Sequence, residues 1–238
     1  MGAGEAASET GGRVALMSGR GEATKGSGKI EVLTTDSNLS GVGVSGEMLL
    51  STGDADGDSG DFKVQTGSSA EGVAGVIDLE VGPTNSGNNG ADFSMAAGFS
   101  QNQDGGNVIM VSGASGTTNS GTITIMTDDS PTTGKITVKT GVSSGIGNSG
   151  AISIETGASS TGTTGDITLS GGTATVATPV TASSVSVTAG ATTQGTGGHV
   201  SVTTGTSDTV GGQGGDMTLL TAGGTSGVSG DISISSDD

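Results

Sequence analysis

The chain contains no cysteine, no tryptophan and no tyrosine, and only three phenylalanines, three prolines and one histidine among 238 residues. Each shortage removes a class of structure or chemistry. Without cysteine there is no disulfide framework and no thiol nucleophile, and redox compartment is not inferable. Without large aromatic rings the chain lacks the side chains that supply much of the buried area in a thick core. Seven Lys and Arg stand against 24 Asp and Glu, a formal charge of −17. Such a surface repels phosphate backbones and anionic membranes, and suits solubility, divalent cations or a basic partner. No apolar run is long enough to cross a bilayer as a helix.

What remains is 49 Gly, 34 Ser and 36 Thr, together half of the chain. That composition alone would fit a disordered low-complexity polymer. The apolar residues, however, are periodic. A unit recurs in which two apolar residues are separated by one and followed by Thr, Ser or Ala, as in Gly121-Thr122-Ile123-Thr124-Ile125, Gly150-Ala151-Ile152-Ser153-Ile154 and Gly165-Asp166-Ile167-Thr168-Leu169. The first apolar residues are Val14, Ile30, Met48, Phe62, Ile77, Phe93, Val108, Ile123, Ile136, Ile152, Ile167, Val185, Val200, Met217 and Ile232, a mean spacing of about 15.6 residues.

Alternation of period two predicts strands with one apolar face. The outward face carries Thr124, Thr137, Ser153, Thr168, Ser186, Ser201, Thr218 and Ser233. Gly-rich connections such as 157–165 predict tight turns. Some connections carry their own apolar residues (Val42, Val44, Val73, Ile146, Val210, Val228), which fits a thinner second side. The expected fold is therefore all-β, a narrow β-solenoid of about 15 coils with a repeat of 15–16 residues. Such coils bury their apolar pairs by stacking. Fifteen coils would span on the order of 70 Å. The alternative is a stack of antiparallel strands. Residues 1–11 read as a flexible N-terminal tail and 12–238 as the repetitive domain. In the solenoid, a charge at Ile152 or Ile167 would disrupt stacking, whereas Thr168→Ser would be nearly silent.

The runs from Ser51 to Asp61 and from Ser229 to Ser235 resemble the Gly/Ser/Thr-rich repetitive cell-surface proteins of diatoms and related algae. The resemblance covers the chain from Gly12 onward. It implies a secreted or cell-surface structural protein and carries over no catalytic residue.

Motifs with chemical meaning are few. Two GxGxxG strings, 41–46 and 145–150, each precede an apolar pair rather than open a helix, so they read as turns. Gly141-Val142-Ser143-Ser144-Gly145 matches GxSxG, which needs a His base and an acid. The one histidine, His199, lies in the outward row. Asp54, Asp56, Asp58 and Asp61 form the strongest chemical candidate, since alternating carboxylates offer oxygen ligands to calcium. The same residues also read as a solvated turn. A single Gly211-Gly212-Gln213-Gly214-Gly215-Asp216 begins like a calcium-binding nonapeptide but has Thr218 at the apolar position. Asn38-Leu39-Ser40 is the one glycosylation sequon.

These readings predict a non-enzymatic structural repeat protein, the building block of an extracellular filament, sheath or surface coat. Its partner would be itself, by end-to-end stacking or within a longer repeat array. No nucleic acid, membrane insertion, small-molecule substrate or cofactor is expected, calcium excepted. Two other readings stay open: an ice-binding or adhesion rod using the Ser/Thr face, and a calcium-responsive extracellular module.

Overall fold

The computed structural model of the chain describes residues 12–22, 26–37, 43–85, 87–175, 181–223 and 227–236. The Met1–Gly11 segment, Val42, the Asn38-Leu39-Ser40 sequon and the Asp237-Asp238 pair lie outside the described residues. Gly41, which opens the first GxGxxG string, does too.

Among the described residues there is no helix and no β-strand. This overturns the β-solenoid, and it equally overturns the stacked antiparallel strands. The physical reason lies in what alternation specifies. It assigns side chains to faces but supplies no neighbour, and a strand exists only where a second backbone runs beside it at about 4.8 Å and pairs repeatedly. Here chain segments meet at single points. With two apolar side chains per unit and a backbone rich in Gly, burial is too small to offset the entropy of ordering the whole unit.

Exposure reflects the same shortfall. The accessible surface is 23721 Å² for a 22.4 kDa chain. Size scaling gives roughly 9,400 Å² for a compact protein of that mass and roughly 32,000 Å² for the unfolded chain. No described residue is buried. Ile152 and Ile167, expected to be core positions, are 52% and 61% exposed.

The chain divides into two units, Met1–Gly121 and Thr122–Asp238. Within the first, three backbone bonds close loops: Gly28 N–H donates to the Gly19 carbonyl at 2.9 Å, Gly106 to Gly98 at 2.9 Å, and Gly121 to Gly113 at 2.8 Å. Within the second, Gly198 donates to Gly190 and Gly215 to Gly205, both at 2.9 Å. In each case the glycine that begins one repeat returns to the glycine that ended the previous one. The residue just before that earlier glycine is Thr, Ser or Ala, and at three of the five closures it is half-buried: Ser18, Ser112 and Ala189.

At two of these closures the donor side has little room for a side chain. A Cβ on Gly106 would lie 3.2 Å from the Gly98 nitrogen and 3.3 Å from the Ala97 Cβ; on Gly198 it would lie 3.2 Å from the Gly190 nitrogen. A Cβ on Gly98 or Gly190 meets nothing within 4 Å. Gly106→Ala and Gly198→Ala should therefore open their loops, whereas Gly98→Ala and Gly190→Ala should not. A net hydrogen bond of about 0.5–1.5 kcal/mol corresponds to a two- to tenfold faster exchange of the closing amide. Amide hydrogen exchange at positions 106 and 198 checks this. Equal acceleration by all four variants would contradict it.

Candidate functional site

The repeat register survives in the pattern of exposure although strands do not form. The first apolar residue of each unit is 46–62% exposed, from Ile30 to Phe62. Aliphatic residues in the connections (Val44, Val73, Val142, Ile146, Val210, Val228) are 91–110% exposed. Fifteen apolar pairs thus form a partly covered series in sequence order, and five of the units begin at a glycine closure. Where no backbone closure is seen, a threonine still lies beside the glycine at several units. Gly46 faces the Thr34 methyl, Gly75 that of Thr66, Gly134 that of Thr127 and Gly150 that of Thr140, so that a Cβ added to the glycine would lie 3.5 to 3.6 Å from it. The recurring contact is a threonine methyl against a glycine, at the base of the connection.

The connections have their own local order. Ser69 Oγ accepts from Gly72 N–H at 2.9 Å, Ser100 from Gln103 at 3.0 Å, Ser115 from Thr118 at 3.0 Å and Ser159 from Gly162 at 2.9 Å. A serine hydroxyl that accepts three residues on mimics a backbone turn. Sequence reasoning missed these serines. The signal was present in Ser69-Ala70-Glu71-Gly72 and Ser159-Ser160-Thr161-Gly162, hidden in a composition where Ser and Gly are everywhere. Beyond them, Gly211 takes a φ of 83° just after Val210, in a turn closed by Gly212 N–H to the Thr209 carbonyl at 2.9 Å.

The four aspartates of the acidic segment are all exposed. Asp61 Oδ2 pairs with Lys63 Nζ at 2.5 Å, two residues on and on the same side of the chain. Asp54, Asp56 and Asp58 are not brought together: among the described residues no three acidic or histidine side chains converge closely enough to hold a metal ion. Asp216, in the nonapeptide-like string, is likewise exposed.

The GxSxG string lies against a concavity of about 580 Å³ lined by Thr140, Gly141, Val142, Ser143, Gly147, Asn148 and Ser149. Ser143 Oγ donates to the Gly147 carbonyl at 2.7 Å, so its proton is directed to backbone. None of the lining side chains titrates in the physiological range, and neither His199 nor any carboxylate is among them. The hydroxyl shapes the loop.

No helix among the described residues is long and apolar enough to cross a membrane. The chain matches no family model, no curated protein and no solved structure.

Proposed function

We propose that the chain is a non-enzymatic structural repeat protein that works by association with further copies of itself, as the building block of an extracellular filament, sheath or surface coat. The observation that carries this reading is the series of fifteen apolar pairs, half-exposed at one register position, with no buried residue among the described ones. Apolar area left in water drives association when a surface of matching spacing is offered. A second copy offers the same spacing by construction. Many weak, equivalent contacts also suit a load-bearing material, since loss of one contact changes little.

The dense hydroxyls and the charge of −17 support a hydrated outer surface. Placement at the cell surface follows from the low-complexity resemblance and belongs to the same proposal. The test is sedimentation and electron microscopy over a range of chain concentrations at neutral pH. Growth of ordered assemblies with concentration is expected. A single monomeric species up to the solubility limit would overturn the reading.

A further inference from the structure

The charges are not evenly spread. Residues 12–30 contain Arg13, Arg20, Lys25 and Lys29 against Glu22 alone. Beyond Lys139 there is no Lys or Arg, while Glu155, Asp166, Asp208, Asp216, Asp231, Asp237 and Asp238 follow. The two sets share a register. Arg13 and Lys29 immediately precede the first apolar residues Val14 and Ile30; Asp166, Asp216 and Asp231 immediately precede Ile167, Met217 and Ile232. The spacings are close, 16 residues from 13 to 29 and 15 from 216 to 231.

The ion pairs among the described residues are Lys29–Glu31 and Lys63–Asp61, both at 2.5 Å and both in the Met1–Gly121 unit. Asp166, Asp216 and Asp231 enter neither pair and are exposed, and the cations of their own unit, Lys135 and Lys139, both precede them in the chain. A basic segment in which Arg13 and Lys29 each adjoin an apolar residue complements Asp216 and Asp231 in charge and comes within one residue of their spacing.

From this we infer that copies associate with a polarity: the basic segment 12–30 of one copy docks against the acidic units around Asp166, Asp216 and Asp231 of another, aligning apolar pair with apolar pair. The inference rests on the self-association proposed above and adds its direction. Charge complementarity of this kind sets orientation and partner choice more than total affinity. Long-range repulsion between chains of net charge −17 is confined to about 8 Å at physiological ionic strength, so close opposite charges are still felt.

Charge reversal in trans tests it by sedimentation at physiological salt. Arg13→Glu, Arg20→Glu and Lys29→Glu take the chain from −17 to −23; Asp166→Lys, Asp216→Lys and Asp231→Lys take it from −17 to −11. No described side chain is buried, so neither variant has a core to lose. Each variant alone should associate about tenfold more weakly than the parent, and an equimolar mixture of the two should recover parental association.

Net charge acting alone predicts the opposite for the second variant, whose lower repulsion would strengthen association. That result overturns the inference while leaving self-association standing. Failure of the mixture to recover also overturns it. A parent chain that does not associate at all overturns both proposals.

Discussion

Heating the isolated chain at a concentration where it is monomeric should give no cooperative transition: no heat-absorption peak, and a far-ultraviolet circular dichroism signal that drifts smoothly from start to finish. Cooperative melting requires a set of residues that lose their burial together, and the heat-capacity step that accompanies it measures apolar surface newly exposed to water. Here no described residue is buried, and the most covered apolar side chain at the first repeat position, Ile30, is already 46% exposed. A compact domain of this length would show an unfolding enthalpy on the order of 150 kcal/mol. The spectrum should also lack the signatures of helix and of paired strands. A sharp two-state transition in the monomer would contradict the structure outright.

Mutations follow the same logic. Ile167→Asp, which would be ruinous in a stacked core, should leave the monomer's thermal profile unchanged. Ile167 is already 61% exposed, and a hydrated position has little burial to forfeit.

The second large effect concerns association. Replacing the pairs Ile123/Ile125, Ile136/Val138, Ile152/Ile154 and Ile167/Leu169 by serine should weaken self-association by more than about a hundredfold. Full burial of an aliphatic side chain is worth about 1.5–3 kcal/mol, and these residues stand between 51% and 75% exposed in the single chain. Roughly half of their area is thus still available to an incoming surface. Eight such residues exceed what is needed for a hundredfold change even after ordering costs are subtracted.

Concentration-dependent sedimentation or light scattering gives the readout. Val142→Ser with Ile146→Ser is the informative control, because both side chains are fully exposed yet lie in a connection. A comparable fall from that control would place the contact on the connections instead of the repeat positions. Outward changes such as Thr124→Ser and Thr168→Ser should have no measurable effect.

The repeat itself was legible in the sequence. The positions of Ile123, Ile136 and Ile152 identified the partly covered side, and the Thr, Ser or Ala that follows the pair is half-buried in several units, as at Ser112, Thr127, Thr140 and Ala189. What alternation could not disclose was the neighbour. A pattern such as Ile152-Ser153-Ile154 states which way side chains would point in a strand, but the hydrogen-bonding partner must come from elsewhere in the fold, and the Gly-rich connections return the chain only to the base of the preceding unit. The solenoid expectation took periodicity for pairing.

The acidic segment shows a related limit. Asp61 meets Lys63 because neighbours two apart share a side of an extended chain, a relation readable from spacing. Convergence of Asp54, Asp56 and Asp58 would have required a loop held tightly by something other than the carboxylates themselves. The bends of the chain are held instead by serines such as Ser69 and Ser159, whose role follows from their position three residues before a backbone amide.

The short reach of the glycine closures carries an implication for how such a chain changes over generations. Each described closure joins residues only eight to ten apart, from Gly98 to Gly106 or from Gly205 to Gly215. A repeat of this kind therefore brings one half of the fastening before it and one half of the fastening after it. Duplication or deletion of one repeat by slippage in a repetitive coding sequence would add or remove a fastening without orphaning another. Length is then a nearly neutral variable, free to drift or to be tuned, while the register within each repeat is what selection can see.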